Sequence, residues 1–119
     1  MKKTVVLGAS ENPARYAYKA IEMLRQYNYP VVAIGLKEGQ VGDVEIHKDF
    51  IPMEDVDTVT LYVGPKNQPA YYEYILSLNP NRIIFNPGTE NPELMQLAKK
   101  NNIESVMGCT LVMLAVKNY

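Results

Sequence analysis

Short runs of consecutive apolar residues recur along the chain and predict buried β-strands. Apolar residues at successive positions, instead of alternate ones, are typical of strands that are covered on both faces of a sheet. We predict five such strands, at residues 4–7, 31–35, 57–63, 82–85 and 103–106.

The segments between most of these runs have apolar residues at helical spacing. One face of each predicted helix carries these residues, as expected for helices that cover a sheet. The first set is Ala17, Ala20, Ile21, Leu24 and Tyr27, the next is Tyr71, Tyr74, Ile75 and Leu78, and the last is Leu94, Leu97 and Ala98.

Asparagine-proline pairs predict two of the helix starts, at residues 12–13 and 91–92. Asparagine caps a helix, and proline suits its first position. Pro69 predicts the start of the middle helix. The segment 37–52 does not continue the alternation of strand and helix patterns. We therefore predict a loop there with a short extra strand at 44–46, followed by a one-turn helix at 53–56.

Strands that alternate with helices predict an α/β domain with a parallel sheet covered on both faces. Right-handed crossovers make this an open, doubly wound, Rossmann-like sheet. We predict the order 3-2-1-4-5 for the five strands, within a single domain over residues 1–119. Ligands of such sheets bind beside the first strand, outside the carboxyl ends of the strands.

The composition argues against several classes of protein. Hydrophobic residues make up 47% of the 119 residues, enough for a core, and the formal net charge of −1 argues against nucleic-acid binding through bulk charge. The sequence has no signal-peptide pattern and no apolar run of membrane-spanning length, so we expect a cytoplasmic protein without a membrane partner. One cysteine and one histidine exclude an internal disulfide and argue against a metal site.

The turn after the first strand has the residues expected around a phosphate. Gly8 permits a tight exit from the strand, and the small residues that follow leave room for a ligand. Ser10 and Asn12 offer polar groups, and Arg15 could make a forked contact to a phosphate at the start of a helix. An ordinary strand-to-helix turn uses the same kinds of residue, so this pattern does not decide the function.

The dinucleotide fingerprint G-x-G-x-x-G is not met, because Ser10 and Pro13 stand where glycines are needed. The second strand is followed by Lys37, where an NAD site would place an acid for the ribose hydroxyls. A lysine suits a phosphate on the ribose better. The residues therefore indicate an adenosine-containing ligand with an extra phosphate.

Four segments together resemble one family. Residues 8–16 (G-A-S-E-N-P-A-R-Y) resemble the G-A-S-x-x-P-x-R-x-S opening of small stand-alone CoA-binding proteins, relatives of the nucleotide-binding domain of the succinyl-CoA synthetase α subunit. The segments 62–65 (Y-V-G-P), 85–91 (F-N-P-G-T-E-N) and 108–109 (G-C) resemble later parts of the family in the same order. The chain departs from the pattern at Ala17 (usually serine), at Gly35-Leu36 (usually Asn-Pro) and at Asn86 (commonly glutamine).

The resemblance implies a site for CoA or an acyl-CoA. The first turn would hold the pyrophosphate through Gly8, Ser10, Asn12 and Arg15. Lys37 would lie near the 3′-phosphate of the ribose, and residues 63–65 near the adenine or the pantetheine arm. The complete set of implied cofactor-binding residues is Gly8, Ala9, Ser10, Asn12, Arg15, Tyr16, Lys37, Val63, Pro65 and Gly88.

No acid–base pair or nucleophile–base pair is evident in the sequence. We expect His47 to be a surface residue and Cys109 a small core residue, and we predict a binding module, not an enzyme. Two alternatives stay open: an NADP(H)-binding, oxidoreductase-like protein, and a regulatory or interaction module that has kept the fold and lost its ligand. Met113 and Tyr119, if exposed, would allow a homodimer.

Overall fold

The structure, a computed structural model, describes residues 2–119, and within them one sheet of seven strands is flanked by helices. The strands are β1 (Thr4–Leu7), β2 (Val31–Ile34), β3 (Gly39–Val41), β4 (Val44–His47), β5 (Thr58–Leu61), β6 (Arg82–Phe85) and β7 (Glu104–Met107). The helices are α1 (Tyr16–Gln26), a 3-10 helix (Pro65–Tyr71), α2 (Tyr72–Leu78), α3 (Pro92–Lys100) and α4 (Thr110–Ala115).

The five predicted strands are confirmed as β1, β2, β5, β6 and β7, but their predicted number and order are wrong. The sheet has the order β3-β4-β2-β1-β5-β6-β7, and all neighbouring pairs are parallel except β3 with β4. The predicted third strand, β5, lies against β1 on the side opposite β2. The position beside β2 belongs to β4.

The hairpin of β3 and β4 explains this difference. Val41 pairs with Val44 across a two-residue turn, in which Gly42 has a φ of +59°. The predicted extra strand is therefore β4, and it adds to the sheet parallel to β2. Counted along the chain, the six parallel strands have the order 3-2-1-4-5-6, which is the order of the Rossmann fold.

Two apolar layers cover the sheet. One contains α1 and α4, whose Ile21, Leu24 and Leu114 pack on strand residues such as Val6 and Ile84. The other contains the 3-10 helix, α2 and α3, which pack on the strand residues Val5, Leu7, Val59, Leu61, Ile83 and Phe85. The prediction of helices on both faces is confirmed.

Only one of the three predicted helix starts is confirmed. Asn91 caps α3, accepting hydrogen bonds from the backbone N–H groups of Glu93 (3.1 Å) and Leu94 (3.4 Å). The prediction at Asn12 is wrong, because its side chain closes a turn and α1 begins at Tyr16.

Two further predictions of helix are wrong. Pro69 lies inside the 3-10 helix, which begins at Pro65. Pro65 suits the first position because the backbone N–H that proline lacks would have no partner within the helix there. Residues 53–56 form no helix, and Asp55 has a φ of +61°, outside the helical region.

Tyr119 is buried, so the expectation that it offers an exposed dimer contact is wrong. Its ring packs against Tyr29, with 4.9 Å between centroids, and against the Arg82 guanidinium at 4.5 Å. Its hydroxyl shares a 2.6 Å hydrogen bond with Thr4 Oγ1. Met113 is half-buried and packs against the same apolar layer.

Candidate functional site

The carboxyl ends of four adjacent strands bring the predicted site residues to one edge of the sheet. In spatial order these strands are β2, β1, β5 and β6. The chain leaves β1 for α1 on one face and leaves β5 for the 3-10 helix on the other face. This divergence opens a crevice between β1 and β5, the place where doubly wound sheets bind ligands.

Gly8 sets how closely the two sides of the crevice approach. Its φ is +88°, and a Cβ at this position would lie 2.6 Å from the carbonyl oxygen of Tyr62 and 3.1 Å from Cγ2 of Val63. The N–H groups of Gly8 and Ala9 both donate to the carbonyl of Ile34, at 3.0 and 2.9 Å. Gly8 and Ala9 therefore shape the site, and their amides are bonded to β2.

Ser10 and Asn12 organise the first turn from within. Ser10 Oγ accepts from the N–H of Asn12 at 3.1 Å, and Asn12 Oδ1 accepts from the N–H of Ala14 at 3.0 Å. Because these oxygen atoms are used as acceptors inside the turn, what the two side chains still offer a ligand is their O–H and N–H donors.

Arg15 and Tyr16 stand at the entrance to α1, and both are exposed. Arg15 occupies the N-cap position, but its side chain makes no capping hydrogen bond. The first-turn amides of α1, which like those of any helix have no partner within the helix, therefore have no side-chain cap either. Those amides, the guanidinium and the positive end of the helix dipole all attract negative charge. The turn as a whole is a set of donors suited to an anion.

Glu11 links the first turn to β3, a contact that the sequence does not predict. Its Oε2 accepts from the N–H of Gln40 in β3 at 3.0 Å, and a Cβ on Gly39 would lie 2.7 Å from the same carboxylate. This bond holds the carboxylate of the first turn against β3, an edge strand of the sheet. In the sequence, the one indication of this contact is Gly39, and a glycine at that position is equally typical of a loop.

Lys37 and Leu36 are exposed in the loop that follows β2. The neighbouring Gly35 is buried, and a Cβ there would clash with the carbonyl oxygen of Ala9 and lie 3.1 Å from Cγ2 of Ile46. The departure from the family pattern at Gly35 therefore has a packing reason. It lets the loop that carries Lys37 pass directly beside the first turn.

The far side of the crevice contains the other predicted residues. Val63 is buried beside Gly8, and Pro65 is exposed at the start of the 3-10 helix. Gly88 is exposed, with a φ of +91°, and its N–H donates to Glu90 Oε1 at 2.9 Å. The buried Gln68, which sequence reasoning missed, bonds to both of these segments.

A buried polar cluster joins β5 and β6 to the start of α4. The Asn86 amide donates to Thr60 Oγ1 and to the Leu61 carbonyl, each at 2.7 Å, and its oxygen accepts from the N–H of Thr110 at 2.9 Å. The shorter asparagine, where the family commonly has glutamine, makes all of these contacts. The Tyr62 hydroxyl is buried with no partner within residues 2–119, and burial raises its pKa.

The residues with nucleophilic or acid–base chemistry lie far apart. His47 ends β4, half-buried, with Nδ1 4.0 Å from Glu45 Oε1. Cys109 follows β7, half-buried and without a disulfide, at the N-cap of α4. Within residues 2–119 no group of three or more His, Cys, Asp or Glu side chains is placed to hold a metal, and no helix is long and apolar enough to span a bilayer.

Two surface cavities lie away from the first turn, near the amino ends of the strands. One, of about 610 Å³, is lined by residues that include Asp57, Ser77 and Asn81. The other, of about 540 Å³, is lined by residues that include Lys99 and Glu104. These cavities share no residue with the predicted site.

Comparison with known proteins identifies the family of the chain. A family model described as a CoA binding domain matches residues 2–115. A crystal structure of an uncharacterized protein is 50% identical, with a TM-score of 0.97, and the match covers 100% of this chain and 98% of that one. No curated protein matches the chain.

More distant structures share the fold. A hypothetical protein from Pyrococcus horikoshii OT3 is 24% identical with a TM-score of 0.85, over 98% of this chain and 82% of that one. A dinucleotide-forming acetyl-coenzyme A synthetase 1 of Ca. Korarchaeum cryptofilum, solved with phosphate and ADP, is 15% identical with a TM-score of 0.71. That match covers 90% of this chain and 25% of the synthetase.

Proposed function

The chain belongs to the family of CoA binding domains, and we propose that it is a module that binds CoA or an acyl-CoA without catalysing a reaction. The observation that carries this proposal is the set of donors at the first turn. Ser10, Asn12 and Arg15 present hydroxyl, amide and guanidinium donors beside the free first-turn amides of α1. Such a set suits a pyrophosphate.

The order of the turns along the sheet edge supports CoA in particular. Lys37 follows β2, the donor turn follows β1, and Val63 and Gly88 follow β5 and β6. Neighbouring strands are about 4.8 Å apart, so the turns form a row. A ligand with a ribose phosphate at one end, a pyrophosphate in the middle and a long arm at the other end follows that row.

The separation of His47 and Cys109 supports binding without catalysis. His47 is the last residue of β4 and Cys109 follows β7, and these two strands are five positions apart in the sheet. At about 4.8 Å per strand this separation is roughly 24 Å, so the imidazole cannot act as a base for the thiol.

Calorimetric titration with CoA, dephospho-CoA and NADPH tests the proposal. We expect wild type to bind CoA, and to prefer it over dephospho-CoA by about 0.5–1 kcal/mol at low salt, the range for an exposed charge pair. The gap should close in Lys37→Met and shrink as salt rises. Lys100→Met, an exposed lysine at the end of α3, is the matched control and should leave the gap unchanged.

Two results would contradict this proposal. Tighter binding of NADPH than of CoA would favour the oxidoreductase-like alternative. Absence of binding to all three ligands would favour a module that has lost its ligand.

A further inference from the structure

Gln68 is a fully buried polar residue that joins two turns at the carboxyl edge of the sheet. Its Nε2 donates to the carbonyl of Val63 at 2.9 Å and to the carbonyl of Thr89 at 2.8 Å. Its Oε1 accepts from Asn91 Nδ2 at 2.8 Å. Both amide protons and the oxygen are therefore used, as burial of an amide requires.

The partner of Gln68 is itself held in place. Asn91 caps α3 through its Oδ1, and its Nδ2 also donates to the Tyr72 hydroxyl at 2.8 Å. That hydroxyl donates to Glu93 Oε1 at 2.9 Å. The network fixes the orientation of Gln68 from the start of α3.

The two turns that Gln68 joins lie on one side of the first turn. One follows β5 and contains Val63, which meets Gly8 across the crevice; the other follows β6 and contains Gly88 and Thr89. Lys37 lies on the opposite side, after β2. If Lys37 receives the ribose phosphate and the first turn the pyrophosphate, the remaining part of the ligand extends over β5 and β6.

We propose that Gln68 is a positioning residue for the pantetheine arm of CoA, an inference that rests on the proposed function. The side chain does not touch the ligand. It holds the backbone of residues 63–65 against that of residues 87–89, so that the two turns form one preorganised wall beside the arm. Without this link, binding must order the two turns separately, which costs affinity.

Calorimetry on Gln68→Met with two ligands tests the inference. Adenosine 3′,5′-bisphosphate has the adenosine and the ribose phosphate of CoA but no pantetheine arm. We expect Gln68→Met to weaken CoA binding about tenfold, corresponding to about 1.4 kcal/mol, and to leave the affinity for the bisphosphate unchanged. Gln96→Met, the same substitution at an exposed position of α3, is the matched control and should change neither affinity.

Equal weakening for both ligands, or no weakening for either, would overturn the role of Gln68 while wild-type CoA binding still upheld the proposed function. Failure of wild type to bind CoA would overturn both. If Gln68→Met does not fold, hydrogen exchange on wild type decides the question. CoA should slow exchange of amides within 63–67 and 86–91, and the bisphosphate should not; the same protection with both ligands, or none, would contradict the inference.

Discussion

At the scale of single residues, the candidate site contains exposed side chains that can donate hydrogen bonds and glycines that allow close backbone packing. Arg15 and Lys37 are exposed cations, and little in the fold depends on them. Gly8 and Gly35 lie at close backbone approaches, where a Cβ would meet a carbonyl oxygen. Substitutions of the first kind should change binding alone, and substitutions of the second kind should change binding and stability together.

Arg15→Ala should weaken CoA binding by about 1.5–3 kcal/mol, the range for a hydrogen bond to a charged group. The melting temperature should change little, because this exposed side chain caps nothing. Calorimetry and thermal melts on the same preparation check both statements.

Arg25→Ala is the control for this prediction, because Arg25 lies on the same helix in its last turn and pairs with Asp43 at 2.9 Å. It should leave CoA affinity unchanged. Equal CoA affinity in Arg15→Ala and wild type would remove Arg15 from the site.

The residues of the first turn could be predicted from the sequence because they are local. Gly8, Ser10, Asn12 and Arg15 follow a strand within one short segment, and residue type alone indicates their chemistry. Gln68 could not be found in this way. The Val63 carbonyl is a local partner, but the other two partners, the Thr89 carbonyl and the Asn91 amide, are more than 20 residues away and only the folded sheet brings them to this side chain.

At the scale of elements, the proposed binding depends most on the turn from β1 to α1. It packs against three other segments: Gly8 against Tyr62, Ala9 against Gly35, and Glu11 against Gln40. A change in the backbone path of this turn must therefore displace its hydrogen-bond donors and also weaken its packing against these three segments.

Gly8→Ala should destabilise the fold by more than about 1 kcal/mol, because alanine is strained at a positive φ and its Cβ would meet the Tyr62 carbonyl oxygen. CoA binding should weaken in the same variant. Chemical denaturation and calorimetry measure the two effects.

Gly108→Ala is the matched control, because an added Cβ there would make only an ordinary contact, 3.4 Å from Met113 Sδ. Its stability and affinity should stay near those of wild type. A stable Gly8→Ala variant that binds CoA normally would place the ligand elsewhere.

The hairpin of β3 and β4 shows where reading elements from the sequence failed. Val44 and Ile46 are buried while Glu45 is exposed, an alternation too short to indicate which strand it joins. Once β4 pairs with β2, the long run at 57–63 must pair on the other side of β1. One short strand thus changes the predicted order of the whole sheet, although β1 still lies inside the sheet, between β2 and β5.

At the scale of the whole molecule, the sheet order places chemically different turns one after another at the carboxyl ends of the strands. The turns after β2, β1, β5 and β6 stand in a row, from an exposed lysine through a donor turn to two turns linked by Gln68. The net charge is only −1, so the proposed attraction for a phosphate depends on this local arrangement and not on overall charge. The two surface cavities lie near the opposite edge.

Amide chemical-shift mapping during a CoA titration tests most directly the claim that one ligand lies along this row. We predict that saturating CoA shifts amides in residues 8–18, 35–38, 63–67 and 86–91, and leaves those near the amino ends of the strands, such as Thr58, Asn81 and Glu104, in place. Shifts centred on the amino-end cavities, or no shifts at saturating CoA, would contradict the account.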